Sequence, residues 1–202
     1  MSGFEFAFSL FGLLLGFSMV EVLGGFARAV EARVRPTADR RAPLRLGWLT
    51  PMLGIFVMLD LTSFWLAAWA ARDQLDVGGP VMFGGLVFAG SYYLAAHAVF
   101  PSDPAAHDEL DGHYFRVRRS VFGILTALLL AQFAYWLSVP ELRTAFADNP
   151  WLFAELATVL VLMGAAMLVK SRAANIALLA LLIAQYLYDY AGEPALVAAG
   201  IL

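Results

Sequence analysis

The chain of 202 residues contains no cysteine. That absence excludes disulfides, thiolate catalysis, cysteine-ligated iron–sulfur clusters and covalent c-type haem. Charge is scarce as well. Asp, Glu, Lys and Arg make up 14% of the residues against 61% hydrophobic, and mean hydropathy is +0.75, far from an ordinary soluble domain. The sequence carries no P-loop, H-E-x-x-H, G-x-S-x-G or Gly-rich dinucleotide motif. Of three histidines only His97 falls inside an apolar stretch, so two-histidine ligation of a membrane haem fails. Lys170 ends an apolar stretch instead of sitting mid-span, the wrong place for a retinal-type Schiff base. No cofactor is expected.

What the chain does have is six apolar stretches, at 6–26, 51–71, 81–100, 121–139, 151–169 and 174–190. Each is close to the ~20 residues a helix needs to cross ~30 Å of hydrocarbon. The expectation is an all-α polytopic membrane protein, a single domain made of six transmembrane helices. Basic residues are segregated: Arg28, Arg33, Arg35, Arg40, Arg41 and Arg45 lie between spans one and two. Arg116, Arg118 and Arg119 lie between three and four, and Lys170 and Arg172 between five and six. Only Arg72 and Arg143 fall in the other loops. The positive-inside bias makes the three basic loops cytoplasmic and puts both termini outside. The N-terminal run carries Glu5 and no basic n-region, so it reads as a retained helix and not a cleaved signal. The net charge of -3 says little about partners, because acids and bases are sorted by loop instead of pooled on one surface; the bilayer is the expected surrounding, and no nucleic-acid partner is expected.

Helix punctuation agrees with the spans. Thr50 before Pro51 and Asn149 before Pro150 read as N-caps with proline at the first helical position. Pro80 and Pro140 sit at span edges, and Trp48, Trp69, Trp136 and Trp151 fall where an interfacial aromatic belt is expected. Residues 170–175 hold neither Gly nor Pro. A continuous helix there would be ~60 Å long, twice the membrane, so a tight hairpin is the better reading. The Arg-rich loop 29–47 predicts a helix one that continues a turn or two beyond the membrane. Its charges serve as a topology determinant or attract anionic headgroups at about 1 kcal/mol per residue.

The loop 100–120 is more specific. Asp103 before Pro104 predicts a helix start, which would place His107 and Asp111 on one face at i, i+4. With His113 they form a weak candidate metal set of imidazole and carboxylate, although Gly112 is expected to interrupt the helix before His113. The alternative is a solvated linker whose acids pair with the arginines that follow.

Residues 92–96 (YYLAA), Phe100-Pro101 and 110–115 (LDGHYF) before Arg118-Arg119, with the opening 3–6 (GFEF) and 47–51 (GWLTP), resemble a group of uncharacterised bacterial inner-membrane proteins of similar length. The resemblance covers about the first two thirds of the chain. It implies a bacterial source and the inner (cytoplasmic) membrane, in which the termini placed outside by the charge bias would be periplasmic, and it carries no activity over.

Polar groups inside the spans are the internal evidence for a site, because ionisable residues are costly there. They are Glu21, Asp60, His97 and, near the outer edge, Glu155 and Asp189. Asp60 lies ~14 Å into the membrane counted from Pro51, with Ser63 on the same face at i+3. Gln132 and Gln185 sit at broadly similar depth, ~17 Å from the cytoplasmic ends of their helices. No basic residue shares the level of Asp60, which leaves a proton relay, a cation site or an acid hydrogen-bonded between helices. Nearer the cytoplasmic side, Glu21 shares a face with Ser18, Gly25 and Arg28, and His97, one turn after Tyr93, reaches a comparable depth. A Glu21–His97 contact would be pH-sensitive, since histidine changes charge near neutrality. Gly12 and Gly16 line one face of helix one and serve either intramolecular packing or dimerisation. Residues 9–13 (SLFGL) and 120–124 (SVFGI), with Trp48-Leu49 and Trp151-Leu152, echo each other faintly, as in an inverted repeat of three helices.

Three functions remain compatible with these observations. The leading one is a non-catalytic membrane component, either an accessory subunit, a scaffold or a small sensor, working with a membrane-protein partner or as a homo-oligomer. The second is a small transporter or channel for protons, a cation or a small solute at the level of Asp60, Gln132 and Gln185. The third is a membrane enzyme using the acidic loop, for which no motif speaks.

Overall fold

The computed structural model describes residues 3–34, 44–73 and 78–192. Among them the chain forms α1 (Gly3–Val34), α2 (Leu49–Ala70), α3 (Gly79–Val99), α4 (Asp111–Ser138), α5 (Pro140–Asp148), α6 (Pro150–Leu168) and α7 (Arg172–Leu187). A 3-10 turn at Pro104–Ala106 precedes α4 and a π-helical turn at Tyr188–Gly192 follows α7. All but the short α5 are long and apolar enough to cross a bilayer, the architecture of a multi-pass membrane protein. Apolar runs of this length become helices because a helix satisfies its backbone within the segment, where lipid offers no partner. Large apolar side chains such as Phe6, Leu13, Val20, Phe83, Leu94 and Val161 point outward, an exposure suited to lipid and not to water.

The expected spans all fall on these helices, with differences at the ends. α1 continues to Val34 and α4 begins at Asp111, so at ~1.5 Å per residue they reach roughly 48 and 42 Å and project beyond the hydrocarbon. Asn149 caps α6 as expected, accepting from Trp151 N at 3.3 Å. Thr50 does not cap α2. The helix begins one residue before it, and the Thr50 hydroxyl donates instead to Leu110 O at 2.7 Å. The 170–175 hairpin is present, with Ser171 capping α7 through Ala174 N. Residues between spans four and five, read only as a loop, form α5.

α2 occupies the middle of the bundle, in contact with α1, α3, α4 and α7. Around it α1 packs on α3, α3 on α4, α4 on α6 and α6 on α7. This order does not follow an inverted repeat of three helices. α1 runs closely along α3, whereas the backbones of the equivalent pair, α4 and α7, stay apart and are bridged by Tyr114 and Arg118 to Asn175. The close α1–α3 approach is built on small residues. Gly25 admits the Phe100 ring, with Cγ 2.9 Å from where a Cβ would stand, and Gly85 admits Phe11. Gly12 faces the Trp65 indole of α2, while Gly16 has open space; the contact at Gly12 is therefore within the chain.

The end of α1, the starts of α2, α4 and α7 and the ends of α3 and α6 gather at one end of the bundle, here the basic end. There the stretch at Leu44–Trp48 pairs with the one at Asp108–Leu110, through Arg45 N to Asp108 O at 3.0 Å and Leu110 N to Arg45 O at 3.1 Å. Asp111, almost fully buried, accepts from Leu49 N at 2.9 Å and so caps α2 from sixty-two residues away. Its second oxygen meets Arg172 at 2.5 Å, and Arg172 also reaches Glu109 at 2.7 Å. The chain passes this carboxylate at Gly47, whose φ of 64° lies in the left-handed region; any Cβ there would collide with Asp111. Gly47→Ala is therefore expected to destabilise the protein by roughly 1–3 kcal/mol. A thermal unfolding midpoint in detergent equal to that of the unmodified chain would disprove this account of Gly47.

Candidate functional site

Asp60 is held in the interior of the bundle by two helices other than its own. It is 5% exposed. Tyr92 of α3 donates to one carboxylate oxygen at 2.9 Å and Tyr186 of α7 to the other at 2.6 Å. Both phenols are buried, where the ring packs as apolar surface and the hydroxyl requires a partner. Phe64 supports Tyr92 at 5.6 Å between centroids and Phe56 supports Tyr186 at 5.8 Å. In the π-helical turn after α7, Tyr190 donates to Leu59 O at 2.9 Å and lies beside Ser63. One face of α2 thus presents Leu59, Asp60 and Ser63 to three tyrosines. The cluster ties α2 to α3 and α7 by polar contacts where lipid would offer none.

The other two members of the expected midplane group point elsewhere. Gln185, beside Tyr186, donates to Glu155 O of α6 at 3.4 Å. Gln132 lines an apolar cavity among α1, α2, α3 and α4. Both carboxylate oxygens of Asp60 are thereby taken by tyrosine hydroxyls and not by glutamine amides. The tyrosines were not singled out as partners, although a tyrosine within a span is a legible signal: its hydroxyl must be satisfied wherever the ring is buried.

The second expected contact is present. His97 Nδ1 lies 3.1 Å from Glu21 Oε1, Arg28 approaches the same oxygen at 3.5 Å, and Tyr93 stacks along His97 at 6.2 Å between centroids. The His97 side chain is 56% exposed, so this pair lies on the outer surface of α1 and α3 and does not form an interior site.

The loop after α3 departs from its expected shape. Asp103 accepts from Ala105 N at 2.9 Å, but what it starts is a 3-10 turn that ends before His107. His107 and Asp111 therefore share no helix face. Gly112 does not interrupt a helix either; Asp111, Gly112 and His113 all lie in the first turn of α4. The His107 and His113 rings meet edge to face at 6.0 Å, with His107 against Arg116 at 2.7 Å and His113 against Ala98 O at 3.1 Å. Asp111 is turned away to Leu49 and Arg172. Among the described residues no three His, Asp or Glu groups are placed to hold a metal ion.

A polar cluster that sequence reading did not single out sits at the basic end. Arg118, 4% exposed, donates to Ala166 O at 2.8 Å, to Val169 O and to Asn175 Oδ1 at 3.2 Å. The Asn175 amide returns to Val169 O and Ser171 O, each at 2.8 Å, and Tyr114 donates to Asn175 at 2.7 Å. A guanidinium on the last carbonyls of α6 satisfies them and complements the negative end of the helix dipole. This cluster closes the α6–α7 hairpin without Gly or Pro.

The Asp60 cluster yields a quantitative expectation. In double-mutant cycles pairing Asp60→Leu with Tyr92→Phe and with Tyr186→Phe, unfolding in detergent should show a coupling of about 0.6–1.7 kcal/mol per pair. Additive effects would mean that the phenols contribute packing alone. No protein family, curated protein or solved structure matches this chain.

Proposed function

We propose that the chain is a non-catalytic integral protein of the bacterial inner membrane, an accessory subunit, scaffold or small sensor, with its basic end cytoplasmic and both termini periplasmic. The observation that carries this reading is the saturation of Asp60: the deepest intramembrane carboxylate is packed between two phenols and acts as a tie between helices. The polar groups at the basic end are likewise engaged in holding loops and helix ends together. The gathering of Arg45, Arg116, Arg118, Arg119, Lys170 and Arg172 at one end supports the orientation.

Small-solute transport is the second reading, and one observation favours it. Hydroxyls of Tyr92, Tyr186, Tyr190 and Ser63 cluster around the level of Asp60, groups able to exchange a proton with its carboxyl. Reconstituted vesicles separate the two. Equal proton and potassium flux with and without the protein, under imposed gradients of each, is the expected result. A protein-dependent flux lost in Asp60→Asn would establish transport instead. Native mass spectrometry of protein gently extracted from its own membrane should return a second subunit at fixed ratio; a solitary chain would remove the accessory reading.

The orientation is tested through the missing cysteines. In a chain that has none, Asp148→Cys is expected to react with a membrane-impermeant maleimide in intact spheroplasts. Ser102→Cys should react only after permeabilisation. The reverse pattern would invert the topology.

A further inference from the structure

A cavity of about 340 Å³ opens among α1, α2, α3 and α4 in the half of the bundle away from the basic end. Its volume falls in the range of small-ligand pockets, roughly 300–1,000 Å³. The wall is aromatic, with Phe8, Phe11, Trp65 and Phe88 all facing it. The rings brace one another: Phe8 lies 4.2 Å from Trp65 and Phe64 stacks on Phe88 at 5.2 Å. Between them Gly84 leaves a gap, since a Cβ built there would meet nothing within 4 Å. An unfilled apolar space forfeits the dispersion contacts of its lining, and walls of this kind give water nothing to hydrogen-bond. Hydrocarbon is what the bilayer supplies at this depth.

Two polar groups share the wall, Gln132 and Tyr135. Among the described residues neither the Gln132 amide nor the Tyr135 hydroxyl has a protein hydrogen-bond partner; Gln132 is half-buried and Tyr135 exposed, so both are open to a group that enters the cavity. Gln132 lies ~9 Å from the end of α4 at ~1.5 Å per residue, below the level of Trp136, where the polar end of a membrane lipid gives way to its chains. We propose that the cavity is a lipid site holding one acyl chain of a glycerophospholipid, with the ester carbonyl received by the Gln132 amide and the Tyr135 hydroxyl. The aromatic wall takes the chain, Gly84 gives it room, and the two donors fix its depth. This site is independent of the role of Asp60.

The test uses the full chain in vesicles of phosphatidylethanolamine and phosphatidylglycerol containing a small fraction of phosphatidylcholine with a diazirine on one acyl chain, a few carbons below the ester. After illumination, mass spectrometry of peptides should find the label concentrated around Phe11, Gly84 and Phe88. Gly84→Leu, which fills the gap, is expected to cut that labelling about tenfold, the effect of ~1.4 kcal/mol in binding. Gly90→Leu, on the same helix but exposed and outside the cavity, should leave it unchanged. Gln132→Leu provides a second variant, with a several-fold loss expected, should Gly84→Leu fail to fold. Label spread evenly around the bundle, or concentrated label indifferent to both variants, would overturn the site. Labelling that persists in bulk diacyl lipid but disappears on adding a trace of polyprenyl phosphate would overturn the acyl assignment in favour of an isoprenoid chain.

Discussion

A carboxyl group carried into the middle of a bilayer-spanning bundle must be satisfied by the protein itself, because neither water nor lipid will do so. At Asp60 that requirement is met by Tyr92 and Tyr186, one from each of two other helices. The hydroxyls specify which faces of α3 and α7 turn toward α2, and the rings then fix the neighbouring packing through Phe56 and Phe64. Apolar helices in lipid have little hydrophobic reason to choose one register over another. A polar group with two required partners supplies that choice, and the central position of α2 follows from it.

The two ends of the bundle are built by different means. At the basic end, loops and helix termini are joined by hydrogen bonds and charge: Asp111 caps α2 and engages Arg172, while Arg118 and Asn175 close the α6–α7 hairpin. Orphan carbonyls at a helix end are thereby met by one arm of a buried guanidinium. The half away from it relies on aromatic contacts, Phe4 and Phe8 of α1 against Trp65 and Trp69 of α2, and these leave the cavity lined by Phe11 and Phe88. A polar clamp thus stands at one end and a partly open aromatic half at the other.

Membrane architecture was legible in the sequence because it depends on composition summed over ~20 residues and on the distribution of Lys and Arg between loops. The capping of α6 by Asn149, the 170–175 hairpin and the Glu21–His97 contact were legible too, the first two because they are local and the third because both groups had to lie at one depth. Thr50, Asp111 and Gly112 were misread for the opposite reason. Thr50 and Asp111 find their partners, Leu110 and Leu49, in other parts of the chain, and Gly112 is carried within the first turn of α4; local rules for caps and helix breakers see none of this. Depth is likewise not direction: Gln132 and Gln185 share a level with Asp60 but face the cavity and α6.

What the sequence by itself determined is how many times the chain can cross a bilayer and which loops share a side, since hydrocarbon thickness and charge bias act on each segment separately. Only the tertiary structure decided that Asp60 belongs to Tyr92 and Tyr186, that Asp111 caps a helix sixty-two residues before it, and that four helices leave an apolar cavity between them. Those outcomes depend on how each helix is rotated about its axis and which helix it meets. Rotation is set by the simultaneous satisfaction of polar groups from distant parts of the chain, a constraint that exists only once the helices are together.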